Sequence, residues 1–123
     1  MKIEQTLNEG SNAFTGYGDG YVEVGGKRHG ASLVVSAKSL TEGWAGGSIE
    51  QLTEAHFRML AEMAPEIVLV GSGKAFAFPD PALLAPLYAA GIGVEVMDTR
   101  AACRTYNLLL GEGRNVIAAL IVD

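Results

Sequence analysis

Two short runs in the second half of the chain hold the residue types best suited to binding a small ligand. Gly71-Ser72-Gly73-Lys74 follows the apolar run Ile67–Val70, and Met97-Asp98-Thr99-Arg100 closes the apolar run that begins at Val94. Glycine amides, the Ser72 and Thr99 hydroxyls, two cations and the start of a helix together suit a small anion. In open α/β sheets ligands bind beyond the carboxyl ends of the parallel strands, and both runs fall there if the two strands are neighbours. Gly71, Ser72, Gly73, Lys74, Met97, Thr99 and Arg100 therefore form the candidate ligand-binding set. The nucleotide signatures do not match it. A P-loop spaces its glycines more widely and places Ser or Thr after the lysine, whereas Ala75 stands there, and a dinucleotide fingerprint needs glycine where Phe76 stands. The competing reading of the same residues is a pair of tight turns that let the chain leave the sheet.

Other reactive side chains form no constellation. Cys103, the sole cysteine, sits near a helix start, which lowers a thiol pKa, but it has no base in a neighbouring element and lies on an Ala-rich face, so it reads as a packed residue. His29 and His56 fall in separate elements without matched carboxylates, so no metal site is expected. His56 reads as a boundary residue of its helix. No catalytic residue and no cofactor is assigned. At the other end of the strands lie Tyr106, Asn107, Glu112 and Arg114. Asn107 and Arg114 flank a helix C-terminus, where free carbonyls accept such donors, so corner-fixing is their expected role. A Glu112–Arg114 surface pair would add little.

The elements that must position these residues follow from periodicity and punctuation. Ile3, Gln5 and Leu7 alternate as in a short edge strand. Tyr21–Val24, then Gly25-Gly26, then Lys27–Gly30 read as a hairpin, because both glycines can take positive φ. Gly16, Gly18 and Gly20 bracket another turn and precede no helix, so they serve turns rather than a phosphate cradle. Ser32–Ser36 is the next strand. Trp44, the sole tryptophan, reads as an apolar plug at one edge of the core. Thr53–Met63 is an amphipathic helix ended by Pro65. Ile67–Val70 is a strand covered on both faces. Phe76 and Phe78 alternate with alanines in a short extended piece. Asp80-Pro81 starts a helix to about Ala90, with a kink or break at Pro86 and a cap at Gly91. Val94–Met97 is a strand. A helix from Arg100 to about Leu110 is capped by Asp98 or Thr99 and stopped by Gly111, with Ala101, Ala102, Thr105, Leu108 and Leu109 facing the sheet. Val116–Val122 is too apolar to be a wet edge.

This order predicts an α/β fold: one three-layer domain over residues 1–123, with a mixed sheet. Residues 1–47 form an antiparallel β-meander and loop, and residues 48–123 a parallel β-α-β-α-β core with right-handed crossovers. With 49% hydrophobic and 19% charged residues the 123-residue chain can fill a core. A formal net charge of -5 argues against a nucleic-acid partner. No apolar run reaches the ~20 residues that span a bilayer, so membrane insertion is not expected. The N-terminus shows no targeting pattern, and a cytoplasmic location is the expectation.

Several of these residues carry a resemblance. Leu33-Val34-Val35, Trp44, the run Ile67–Gly73, the stretch Gly91–Val116 and the last apolar strand together resemble a family of small bacterial and archaeal proteins of unknown function, the Mth938-like domain family. Its mitochondrial relative is an assembly factor of respiratory complex I, assembly factor three. The specific part is Met97-x-Thr99 with Ala102, Thr105, Tyr106, Asn107, Glu112 and Arg114. The resemblance implies a mixed sheet between layers of helix and added β-structure. It implies no established enzyme activity, and a role through protein partners, such as a membrane-associated complex under assembly. A second copy of the chain is a further candidate partner.

Overall fold

The structure, a computed structural model, describes residues 10–123. The strand expected around Ile3–Leu7 lies outside the described residues. The chain opens with a meander of three antiparallel strands: β1 (Phe14–Gly18), β2 (Tyr21–Val24) and β3 (Lys27–His29). The β2–β3 turn is Gly25-Gly26, with φ of 56° and 85°, the left-handed pair that a tight hairpin requires.

Two short strands, β4 (Leu33–Val35) and β5 (Leu40–Glu42), then leave the meander and join a second, five-stranded sheet. Helix α1 (Glu54–Glu62) leads to β6 (Ile67–Gly71). A 3-10 turn (Pro81–Leu84) and α2 (Ala85–Ala89) lead to β7 (Gly93–Met97). Helix α3 (Thr99–Gly111) leads to β8 (Val116–Leu120). The strand order is β5-β4-β8-β6-β7. β6 pairs in parallel with both β7 and β8, while β4 runs antiparallel to β8 and to β5. The fold is thus mixed α/β, and the N-terminal strands supply both an added sheet and an antiparallel flank. β8 sits at the centre, as its run of buried apolar residues demands.

Alternation along the central strands divides the core. Leu33, Val35, Leu69, Ala118 and Leu120 face α3 and the meander, where Phe14, Tyr17, Cys103 and Tyr106 pack. Val34, Val68, Val70, Ile117, Ala119 and Ile121 face α1 and α2, where Trp44, Phe57, Leu60, Leu84 and Leu87 pack. Trp44 does plug an edge of this second core. It is buried, its Nε1 donates to the Leu120 carbonyl at 2.9 Å, and the His56 ring meets it edge-on at 5.6 Å.

Four local expectations are corrected. The segment before α2 is broken as Pro86 suggested, but its first half is 3-10: Pro86 has no N–H to extend an α-helical ladder backwards, and only Ala85–Ala89 is α-helical. Phe76 and Phe78 form no strand. Their loop is held by Ser72, whose Oγ donates to the Ala75 carbonyl (2.7 Å) and accepts from Ala77 N (3.1 Å). The stop of α3 is Gly113 rather than Gly111. The helix runs through Gly111, and the chain turns where Gly113 takes φ 79°, with Arg114 N donating to the Leu109 carbonyl at 3.0 Å. The buried face of α3 is Thr99, Ala102, Cys103, Tyr106 and Leu110, while Leu108 is 63% exposed. Residue spacing alone allowed either face. The large Tyr106 ring, packed edge-on against Phe14 at 5.1 Å, sets the rotation.

Candidate functional site

β6 and β7 are neighbours in continuous register from Ile67↔Gly93 to Gly71↔Met97, so the two candidate turns do meet at one end of the sheet. The structure brings Gly71, Ser72, Gly73, Lys74, Met97, Thr99 and Arg100 together there. The meander closes the other side, leaving a shallow open crevice lined by Tyr17, Gly18, Gly20, Tyr21, Gly73, Lys74, Thr99, Arg100 and Asp123 among others.

Most polar groups of the turns are engaged with one another. Ser72 N donates to the Met97 carbonyl (2.8 Å), and Thr99 N donates to the Gly73 carbonyl (2.9 Å). The buried Thr99 hydroxyl accepts from Gly73 N (2.8 Å) and donates to the Ile121 carbonyl (2.6 Å), tying β6, α3 and the end of β8 in one knot. Lys74 N donates to Asp123 Oδ1 at 3.0 Å. Asp98 caps α3, accepting from Ala101 N at 2.9 Å. The turn glycines answer to packing. A Cβ on Gly71 would lie 2.7 Å from Leu120 Cδ2 and 3.0 Å from Thr99 Cα, and Gly73 takes φ 106°. Arg100 lies 5.4 Å over the Tyr17 ring and reaches Asp19 at 3.1 Å. Lys74 lines the crevice, and its ammonium has no ion pair among the described residues.

Tyr17, Asp19, Tyr21, Arg104 and Asp123 are neighbours that sequence reasoning missed. The signal was faint. Tyr17 and Tyr21 flank the Gly18–Gly20 turn, but nothing in the sequence places that hairpin against the start of α3. Arg104 donates to the Tyr17 hydroxyl at 2.6 Å and joins the two.

Of the seven candidate ligand residues only Gly73, Lys74, Thr99 and Arg100 line the crevice; Gly71, Ser72 and Met97 stand at the same strand end without lining it, and the other named residues lie elsewhere. Asn107 faces the meander instead of the helix end: its Oδ1 accepts from Phe14 N (2.9 Å) and its Nδ2 donates to the Phe14 carbonyl (2.7 Å). This amide completes the outer edge of β1 as a neighbouring strand would. Tyr106 Oη donates to the Asn12 carbonyl at 2.8 Å, and burial pushes its phenol above the usual range. Arg114 pairs with Glu66 (2.6 Å) rather than with Glu112, because the strand-start corner at Glu66 lies beside the turn out of α3. That hydrogen bond and charge hold the Glu66 carboxyl below its ordinary value. Glu112 is the C-terminal cap residue of α3. Ala102 lies on the buried face of α3 and Thr105 is half-buried on the same helix. Burial pushes the Cys103 thiol up to about 12, outweighing the favourable Arg104 charge, so no thiolate forms near neutral pH. Among the described residues, no cluster of His, Cys, Asp or Glu has the makings of a metal site. No buried side-chain polar atom among them lacks a partner.

Fold and site together define a mixed α/β domain with a crevice at the strand ends. The chain belongs to the family described as "Protein of unknown function (DUF498/DUF598)", which matches residues 14–121. It is similar to the bovine protein named NADH dehydrogenase [ubiquinone] 1 alpha subcomplex assembly factor 3, at 42% identity over 80 residues, 63% of this chain and 44% of that protein. The match thus spans less than half the length of that relative. Among solved structures it is similar to a protein of Bordetella parapertussis, with a TM-score of 0.86 and 38% identity, covering 98% of this chain and 100% of the other. It is also similar to a Bordetella pertussis protein described as a Mth938-like domain, with a TM-score of 0.83 and 32% identity over 100% and 93% of the two chains. No helix among the described residues is long and apolar enough to cross a membrane.

Proposed function

We propose that this protein is a non-catalytic interaction domain that helps assemble a larger, membrane-associated protein complex. It acts from the cytoplasm without entering the bilayer. The observation that carries the reading is an exposed aromatic segment: Phe76 is 63% and Phe78 54% exposed on the irregular run between β6 and α2. Large rings held in water on a hydrogen-bonded loop are the kind of surface that a protein partner covers, since burial returns about 25 cal/mol per Å² of apolar area. The strand-end polar groups beside this loop are occupied in holding the turns. The name of the bovine relative supports an assembly role. The test is an affinity pull-down from the native host, read by mass spectrometry, with wild type and a Phe76→Ser/Phe78→Ser variant whose fold is checked by circular dichroism. A stable protein partner recovered by wild type and lost from the variant is the expected result. The same recovery from both, or no partner at all, refutes the reading.

One observation favours a second reading. Lys74 lines an open crevice and has no ion pair among the described residues, which suits a small anion such as phosphate or a carboxylate. Thermal-shift titration with inorganic phosphate and acetate tests it. A shift abolished by Lys74→Ala supports a ligand there, and no shift, or one that the variant retains, excludes it.

A further inference from the structure

The edges of the two sheets are not treated alike. The outer edge of β1 is met by the Asn107 amide, which bonds both backbone groups of Phe14. β3 and β5 are three residues long, and short edges offer little to pair with. β7 is different. It runs five residues, Gly93–Met97, in register with β6 without a bulge, and no strand among the described residues pairs with its other side. Gly93 N donates to the Glu66 carbonyl and the Met97 carbonyl accepts from Ser72 N, so the backbone groups of alternate residues 93, 95 and 97 point at β6. The N–H and C=O groups of Val94 and Val96 therefore point away from the sheet. Among the described residues only one of the usual protections is present: no proline and no bulge, but a single charge, the exposed Glu95, whose carboxylate has no partner there.

We infer that the free edge of β7 is a strand-addition site for an extended, basic segment of a partner protein, with a Lys or Arg set opposite Glu95. The inference rests on the interaction-domain reading and deepens it by naming the element and the chemistry of the partner. Charge selects the occupant. If a second copy paired along the whole strand, Gly93 would face Met97 of the copy and Glu95 would face its own counterpart, about 5 Å away, where like charges repel. The chain's net charge of -5 adds to that repulsion. A cation on the added strand turns the same position into an attractive cross-strand pair. Flanking β-branched residues would continue the half-buried rows of Val94 and Val96.

Amide-detected NMR on the full chain tests this with two capped peptides, Thr-Thr-Val-Lys-Val-Thr-Thr and its Glu-centred counterpart. The Lys peptide is expected to shift the Val94 and Val96 amides and to bind about tenfold more tightly than the Glu peptide at low salt. Glu95→Lys should reverse that preference. Val96→Pro, which removes an outward N–H and no bond to β6, should abolish binding. Should Val96→Pro not fold, the exposed Glu95→Lys change still decides the matter. Unchanged Val94 and Val96 amides, or equal binding of both peptides, overturns the inference. So does a wild-type dimer that protects those two amides, which would make a second copy the occupant. A Phe-dependent partner in the pull-down beside a failed peptide test removes only the β7 site. Loss of both removes the interaction reading as well.

Discussion

The two faces of the main sheet are covered by different means. On one, α3 grips the meander through side chains aimed at backbone: Asn107 bonds Phe14 twice, Tyr106 bonds Asn12, and Arg104 bonds the Tyr17 hydroxyl. On the other, α1 and α2 rest on the sheet mainly through apolar contact, and Met59, Met63 and Tyr88 remain exposed around them, with Phe76 and Phe78 on the loop before α2. Directed hydrogen bonds fix one relative position and are costly to leave unmade. Apolar contact is non-directional, and an exposed ring can exchange water for a partner. The first face is thus specified internally, while the second keeps large apolar side chains in water and adjoins a β7 edge that no strand among the described residues pairs.

The sharpest way to break this contrast is Asn107→Ala. It strands both the N–H and the C=O of the fully buried Phe14, and should cost about 2–4 kcal/mol in urea unfolding. Phe76→Ser, changing an exposed ring on the other side, should stay within about 0.5 kcal/mol. Equal effects would erase the distinction. Next in size is Gly71→Ala at the strand-end knot, where the new methyl meets Thr99 Cα and Leu120. Overpacking there should cost about 1–3 kcal/mol, visible as a lower urea midpoint. A neutral outcome would mean that α3 can slide on β6.

A smaller, pH-dependent effect concerns the contact between meander and main sheet. The buried His29 imidazole on β3 meets the exposed Glu42 carboxylate on β5. The hydrogen bond from His29, then its charge and that of Lys27, hold the Glu42 carboxyl below its ordinary 4.5. A carboxyl lowered in the folded state binds its proton more readily when unfolded. Its contribution is therefore complete above pH ~4.5 and fades as pH falls through the lowered folded value. The melting temperature should fall on acidification through that window, and Glu42→Gln should flatten the fall. An identical acid limb in the variant would show that this contact does not couple the sheets. The least effect belongs to Arg114→Ala. The Arg114–Glu66 pair is exposed at both ends, so the melting temperature should barely move, and added salt should remove what difference remains.

Much of this architecture was legible because it rests on local rules. Gly25-Gly26 needed positive φ, Asp80-Pro81 and Asp98 are helix starts by chemistry, and the apolar run at Val116 could only be central. The meeting of the 71–74 and 97–100 turns was legible only on condition that the two strands are neighbours, which the sheet order supplied. What failed locally was rotation and stop position: spacing in α3 admitted two faces, and either Gly111 or Gly113 could end the helix. The role of Asn107 was not legible, since its partner is Phe14, ninety-three positions away in sequence.

The sequence by itself determined the element order and the parallel core, because those follow from periodicity, punctuation and residue chemistry. Only the tertiary structure decided that the strand-end hydroxyls and amides serve the turns themselves. It also decided that Asn107 closes one sheet edge while no strand among the described residues pairs the outer edge of β7. Hydrogen-bond partners across the fold depend on how layers dock, and docking is a property of packed surfaces that no local pattern encodes.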